Sequence, residues 1–255
     1  MNRTVPEIFK RPQGSLIELD QNDIILLIGA NPLVDQPVAS YIIKRACDRG
    51  AHLIIIDEKE NGLSPFAYMI FNYNEMDKAI DIVNRAAHPV ILYGVDIPAA
   101  AKDDLKKIND QASFIALEQG VNTSAAAAMK LNNEFNSSPV KFLYVLAGEQ
   151  DYGNVDFLKG IPKEAFVAVQ ASYVSPLLER ADLVLPAAIW SEQSGTLTNT
   201  EGRIQKLQKA IEPVGEAKAD WETLFLLAEQ LGKKIDMSID EIPSYITRLV
   251  NERRS

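Results

Sequence analysis

The sequence predicts an α/β protein: two doubly wound parallel-sheet units with a C-terminal irregular ribbon and helices. Three observations carry this. Short continuous apolar runs recur along the chain, as strands buried on both faces of a parallel sheet require. Stretches of helical apolar spacing separate them. The strand, glycine, helix pattern then starts a second time past the middle of the chain. The first unit is placed at residues 1–135 and the second at 136–255, with the ribbon over 186–215. The polar stretch NNEFNSSP (132–139) reads as the boundary between them.

In chain order, residues 23–29 (DIILLIG) form the first strand and end in Gly29-Ala30-Asn31-Pro32. A helix follows with Val38, Ile42, Ile43 and Ala46 on one face, and it closes near Arg49-Gly50. Residues 51–57 (AHLIIID) are the second strand. Residues 75–87 are helical, because Met76, Ala79, Ile80 and Val83 share one stripe. Residues 90–93 are a strand closed by Gly94, 98–110 a helix and 114–117 a strand. The restart is KFLYVLAG (141–148), which mirrors the first strand and its glycine; AFVAVQ (165–170) and residues 183–185 follow as strands. Near the C-terminus, 218–232 is an amphipathic helix with Trp221, Leu224, Phe225, Ala228 and Leu231 on one stripe, and a last helix covers about 239–253.

Residues 181–205, ADLVLPAAIWSEQSGTLTNTEGRIQ, are the densest part of the chain. Short hydroxyl and amide side chains satisfy their own backbone in tight turns, and Gly195 and Gly202 permit positive φ. The segment is therefore expected to be an ordered ribbon with Trp190 buried. Asn199 sets its turns, and Glu201 and Arg203 are its charged organisers.

Composition excludes several functions. The chain has 255 residues, 47% hydrophobic and 24% charged, which suits an ordinary soluble globular protein. A net charge of −9 argues against nucleic acid or an anionic membrane as partner. No apolar run approaches the roughly 20 residues that span a bilayer, and the first residues have no signal-peptide core, so a cytoplasmic protein without direct membrane insertion is expected. Cys47 is the single cysteine. It fits a reducing compartment and reads as a small buried hydrophobe. With His52 and His88 as the only histidines, the sequence holds neither the four thiolates of an iron–sulfur cluster nor a zinc ligand set. No catalytic and no metal-ligating residue is assigned.

In open α/β sheets, ligands bind beyond the carboxyl ends of strands at a switch point. The candidate loops therefore follow residues 28, 56 and 147. Gly29 and Asn31 lie where backbone N–H groups can approach a phosphate. Asp57 ends the second strand, where a ribose or purine is often read; the plainer alternative is that it caps a turn or pairs with Lys59.

The ribbon resembles the ADVVLP…E..GT.TN.EGR.Q signature of the molybdopterin oxidoreductase superfamily, which includes formate dehydrogenases, nitrate reductases and the large iron–sulfur subunit of NADH:quinone oxidoreductase (complex I). LLIGANPLVDQPV with RGAHLIIID is similar to the segment in which a GANP loop and a strand-end Asp contact one guanosine half of the bis-pterin cofactor. VLAGEQDY occupies the place of the family's second loop, and GVNTSAAAAM resembles the complex I version of the stretch between the halves. The likeness runs from about residue 23 to 232. It implies molybdopterin guanine dinucleotide as cofactor, with Gly29, Asn31, Asp57, Gly148, Thr196, Thr198 and Arg203 as its contacts. The departures are equally specific. The family's N-terminal cysteine cluster, its Cys, Sec or Ser metal ligand and its C-terminal barrel have no counterpart in this sequence. After Asp57 the family continues Pro-Arg, whereas here Glu58-Lys59 follows. The second loop has Glu149-Gln150-Asp151 in place of Asn-Pro, and acids facing a diphosphate repel it.

Three functions compete. The first is a non-catalytic scaffold subunit, a degenerate module of a complex I-like or formate dehydrogenase-like assembly, with iron–sulfur subunits as partners and no cofactor of its own; its contacts are then vestigial. The second is the cofactor-binding half of a split molybdenum or tungsten enzyme. The third is an independent nucleotide-binding sensor domain. The missing cluster ligands and the acidic second loop favour the first.

Overall fold

A computed structural model of the chain describes residues 14–21, 23–131, 140–149, 154–236 and 238–254. The boundary stretch 132–139 lies outside them. The chain divides into two compact units. The first draws on Met1–Asn132, Thr198–Ile204 and Ile246–Ser255, and the second on Asn133–Leu197 and Gln205–Tyr245.

The first unit is built on β1 (Ile24–Ile28), β2 (His52–Ile56), β3 (Met69–Phe71), β4 (Pro89–Tyr93) and β5 (Ser113–Ala116). They form one parallel sheet in the order β3-β2-β1-β4-β5. Every residue of β1 and β4 is buried. Successive side chains alternate between two cores, as the period of two demands. Leu26, Ile28, Ile54 and Ile56 meet Met76, Ala79, Ile80 and Val83 of α3 (Met76–Arg85) and Leu105 of α4 (Ala99–Leu105) on one face. Ile25, Leu27, Leu53 and Ile55 meet Ala39, Ile43 and Ala46 of α2 (Pro37–Asp48), and Leu19, on the other. Helices on both faces and reversal of strand order at β1 and β4 make this unit doubly wound. The short α1 (Pro32–Asp35) precedes α2, and α5 (Thr123–Ala128) follows β5.

The second unit holds β6 (Phe142–Gly148), β7 (Phe166–Ala171) and β8 (Leu183–Pro186), parallel and in the order β6-β7-β8. One face packs Val167, Val169, Ala147 and Val145 against Ile161 and Leu177. The crossovers carry 3-10 helices, Asp156–Gly160 and Pro176–Arg180. With its strands in sequence order, this sheet winds in one direction. The ribbon is a two-stranded sheet of β9 (Gly195–Thr198) and β10 (Ile204–Leu207). Helices α6 (Asp220–Gln230) and α7 (Ile242–Arg254) end the chain.

Three expectations change. Val38 is 73% exposed, because α2 turns the small Ala39 and Ser40 inward beside Ile43. Trp190 is 59% exposed; its backbone is anchored and its ring is not. The α6 stripe is real in sequence, yet no residue of α6 is buried. Among the described residues, no helix is long and apolar enough to cross a membrane.

The phase of α2 is directly testable. Ile43→Ala should destabilise the protein by about 2–5 kcal/mol in denaturant melts, the range for a fully buried aliphatic. Val38→Ala should stay within about 0.5 kcal/mol of the parent. Equal losses at both positions would contradict the burial pattern.

Candidate functional site

The switch point lies where β1 and β4 end side by side. Gly29 follows β1 with φ +63°, and a Cβ there would lie 2.5 Å from Ile97 Cγ1 and 2.6 Å from the Ile97 nitrogen. Gly94 follows β4, and a Cβ on it would lie 2.3 Å from the Gly29 carbonyl oxygen. Only glycines allow this approach. The two loops are zipped: Gly94 N–H donates to the Ile28 carbonyl at 3.0 Å and Asp96 N–H to the Gly29 carbonyl at 3.0 Å.

The loop after β2 is stitched to the loop after β1 by Asn61, which is 2% exposed. Its amide donates to the Ala30 carbonyl at 2.8 Å and to Asp57 Oδ2 at 3.3 Å, and its Oδ1 accepts Leu63 N–H at 3.1 Å. Asn31 completes the seam, its Oδ1 accepting Gly62 N–H at 3.3 Å. Asp57 Oδ1 accepts Lys59 N–H at 3.1 Å. Gly29, Asn31 and Asp57 are thus brought together, and Asn31 Oδ1 and both Asp57 carboxylate oxygens are engaged in holding the loops. The sequence names Gly94 only as the close of a strand and gives Asn61 no part. The Asn61-Gly62 dipeptide, a turn signal, was the available clue.

The cleft between these loops is lined by Gly29, Asn31, Asp35, Gln36, Asp96 and Gln119, among others, and no Lys, Arg or His lines it. It leaves room for about one water molecule, whereas small-molecule sites occupy about 300–1,000 Å³. Gln36 donates its amide to the Glu118 carbonyl, and its buried Oε1 has no donor among the described residues. An unpaired acceptor at this position repels an anion rather than binding it. The nearby Tyr73 hydroxyl reports the same field: burial, then Asp57, Glu58 and Asp96, push it up to about 12.

In the second unit, Gly148 takes φ +55° with nothing within 4 Å of a would-be Cβ. Glu149 after it accepts the Trp190 N–H. The fully buried Gln170 donates to Asp220 Oδ1 at 2.9 Å and Thr223 Oγ1 at 3.2 Å, and accepts the Tyr144 hydroxyl. Burial, with Glu149 second, holds the Asp220 carboxyl above its ordinary range. Gln150 and Asp151 lie outside the described residues.

The ribbon's tip belongs to the first unit. Asn199 sets the turn: its N–H donates to the Arg203 carbonyl at 3.0 Å and its Oδ1 accepts Arg203 N–H at 2.7 Å. Gly202 supplies φ +72°. Asn122, in the left-handed region at φ 65°, exchanges two bonds with Thr198: Asn122 Oδ1 accepts Thr198 N–H at 2.7 Å, and Asn122 N–H donates to the Thr198 carbonyl at 2.9 Å. Glu201 Oε1 accepts Leu16 N–H at 2.7 Å and the Ser15 hydroxyl at 3.1 Å. Glu201 is therefore a charged organiser. Arg203 is exposed, and its guanidinium forms no bond among the described residues. Thr198 is 1% exposed with its hydroxyl unpaired among them. Thr196 is half-buried in the β9 stretch assigned to the second unit. Cys47 is half-buried in α2, and burial, then Asp48, pushes its thiol up, which suits an inert side chain. Among the described residues, no group of three acidic, Cys or His side chains could hold a metal ion.

The family model described as molybdopterin oxidoreductase matches residues 7–94 and 80–230, so this chain belongs to the molybdopterin oxidoreductase family. It is 32% identical to the mitochondrial NADH-ubiquinone oxidoreductase 78 kDa subunit of Candida albicans over 91% of this chain and 34% of the relative. It is 26% identical to the corresponding subunit of Neurospora crassa over 93% of this chain and 34% of the relative. A shorter match, 41% identity over 36% of this chain and 14% of the relative, joins it to the F420-dependent formate dehydrogenase subunit alpha of Methanocaldococcus jannaschii. The chain spans about a third of the length of the NADH-ubiquinone oxidoreductase relatives.

Two predictions follow from these contacts. Glu201→Ala strands the Leu16 N–H and should cost about 1–3 kcal/mol, while Arg203→Ala should stay within about 0.5 kcal/mol; thermal melts of both variants decide, and the reverse ranking would contradict the ribbon assignment. The Tyr73 shift has a definite sign. Its folded value lies above its ordinary value of 10.0, so its contribution to stability is complete below pH 10 and is lost as pH rises through about 12. Subtracting the Tyr73→Phe titration from the parent's at 295 nm should leave a step near pH 12; a step near pH 10 would contradict the acidic, half-buried setting.

Proposed function

We propose that this chain is a non-catalytic scaffold subunit, a degenerate module of its family, within a complex I-like or formate dehydrogenase-like electron-transfer assembly. The observation that carries this reading is the chemistry of its two strand-end loops. Molybdopterin guanine dinucleotide presents a diphosphate, which calls for backbone donors and cations. The first loop offers a cleft of one-water size walled by Asp35 and Asp96. The second begins with Glu149, held on the Trp190 N–H and close enough to Asp220 to raise its carboxyl further. Asp57, the residue that would read a ribose, is bound to its own loop. The residues present do not fit the group, and Gly29, Asn31 and Asp57 serve the fold in its place.

This chemistry weighs against the split-enzyme reading, which needs both loops to accept phosphates. The single Cys47 cannot by itself supply the four thiolates of an iron–sulfur cluster. The names of the relatives, subunits of NADH-ubiquinone oxidoreductase and of formate dehydrogenase, support membership of such an assembly.

Elemental analysis of the isolated chain should find no stoichiometric iron, molybdenum or tungsten. Native extracts should show the chain co-eluting with an iron–sulfur protein. A metal bound one-to-one, or a solitary monomer in native extracts, would overturn the proposal.

A further inference from the structure

The walls of the strand-end crevice are not all held in the same way. The loops after β1 and β4 are joined by main chain: Gly94 N–H donates to the Ile28 carbonyl and Asp96 N–H to the Gly29 carbonyl, both at 3.0 Å. Those two loops cannot part without disturbing the ends of two buried strands. The loop after β2 is different. It leaves the sheet at Asp57, whose N–H still pairs with the Phe71 carbonyl, and it returns to the core at Leu63, which is 2% exposed. Residues 58–60 between them are exposed. Among the described residues, no main-chain bond joins this stretch to the β1 loop. Two amide side chains fasten it instead. Asn61 donates to the Ala30 carbonyl at 2.8 Å, and Asn31 Oδ1 accepts Gly62 N–H at 3.3 Å. The half-exposed Leu33 lies over Gly62, where a Cβ would come within 2.5 Å of its Cδ2.

Charge works against these fastenings. The run Asp57-Glu58-Lys59-Glu60 carries three acids and one base. Asp57 and Glu58 of this loop and Asp96 of the β4 loop all act on the Tyr73 hydroxyl, so like charge gathers on both sides of the seam. Asp35 and Asp96 line the cleft, and no Lys, Arg or His does. Like charges favour separation of the loop from that wall. Asn61 opposes them because it is neutral and presents its amide protons to both the Ala30 carbonyl and Asp57 Oδ2. An aspartate of nearly the same shape would lose those donors and set a second carboxylate beside Asp57.

We propose that residues 57–62 form a strap over the strand-end crevice, latched by Asn61 and driven by like charge to swing away when the latch lets go. The strap turns on the strand end at Asp57 and on the buried Leu63. Closed, it leaves the crevice room for about one water molecule. Open, it bares the ends of β1 and β4 to solvent. Local openings of this kind draw on the parts of a fold with the fewest buried contacts. The strap gates the crevice whatever assembly the chain joins.

Amide hydrogen exchange of the full-length chain, read by NMR, tests this. In the parent, Gly62 N–H should gain protection between about 20 mM and about 500 mM sodium chloride, since salt screens the repulsion and leaves the neutral latch intact. The β1 amides should not respond. Gly62 protection should fall from the parent to Asn61→Ala and again to Asn61→Asp, the last about tenfold below the parent. High salt should bring the aspartate variant up to the alanine variant, because only its added repulsion is screened. Equal Gly62 protection in the parent and Asn61→Asp would overturn the latch, and protection indifferent to salt in all three chains would overturn the part played by charge. If β1 and β4 lose protection in the aspartate variant, it has unfolded and the parent's salt response decides, its presence upholding the strap and its absence overturning it.

Discussion

The backbone of Gly94 passes so near Gly29 that a methyl group on it would sit 2.3 Å from the Gly29 carbonyl oxygen. This contact depends on β1 and β4 being adjacent, and that adjacency comes from reversal of winding at the centre of the first sheet. Strand reversal normally opens a crevice for a ligand. Here the loops beyond it are drawn together by two main-chain bonds and by Asn61, so the crevice narrows to one-water size. The strands buried on both faces fix the loop ends, and the loop ends fix what the cleft can admit.

Charge acts in the same direction as size. Asp35 and Asp96 wall the first cleft, and Asp57 and Glu58 add to the field felt by Tyr73. Glu149 and Asp220 lie close together in the second unit. A carboxylate near a diphosphate costs free energy even in high dielectric, and more where water is excluded. The strand ends thus carry acids where a diphosphate calls for cations. The first sheet has both faces covered, and the ribbon's tip is tied down by Glu201 and Asn122.

Where one physical effect dominates, the sequence was readable. The α3 stripe Met76, Ala79, Ile80 and Val83 is buried as its spacing requires, because a lone amphipathic face has one place to go. The apolar runs of β1 and β2 are likewise buried, save the exposed His52 at the start of β2. Legibility failed where two effects compete. Val38 outranks Ala39 in hydrophobicity, yet close packing of α2 on the sheet selects the smaller side chains. The α6 stripe and Trp190 signal burial that nothing among the described residues supplies. β3 is a three-residue edge strand, too short for periodicity to register. In the site, Gly29, Asn31 and Asp57 were legible as neighbours at strand ends. That Asn61 would stitch Asp57 to the Ala30 carbonyl was not, since the Ala30 bond spans about thirty residues of sequence.

The closed switch point is most directly tested by the backbone amide resonances of Gly29, Asn31 and Gly94 in the full-length chain, titrated with guanosine diphosphate and magnesium. The account predicts that these resonances stay fixed up to millimolar nucleotide. A saturable shift centred on these three amides would show that the cleft opens to a diphosphate, and would contradict it.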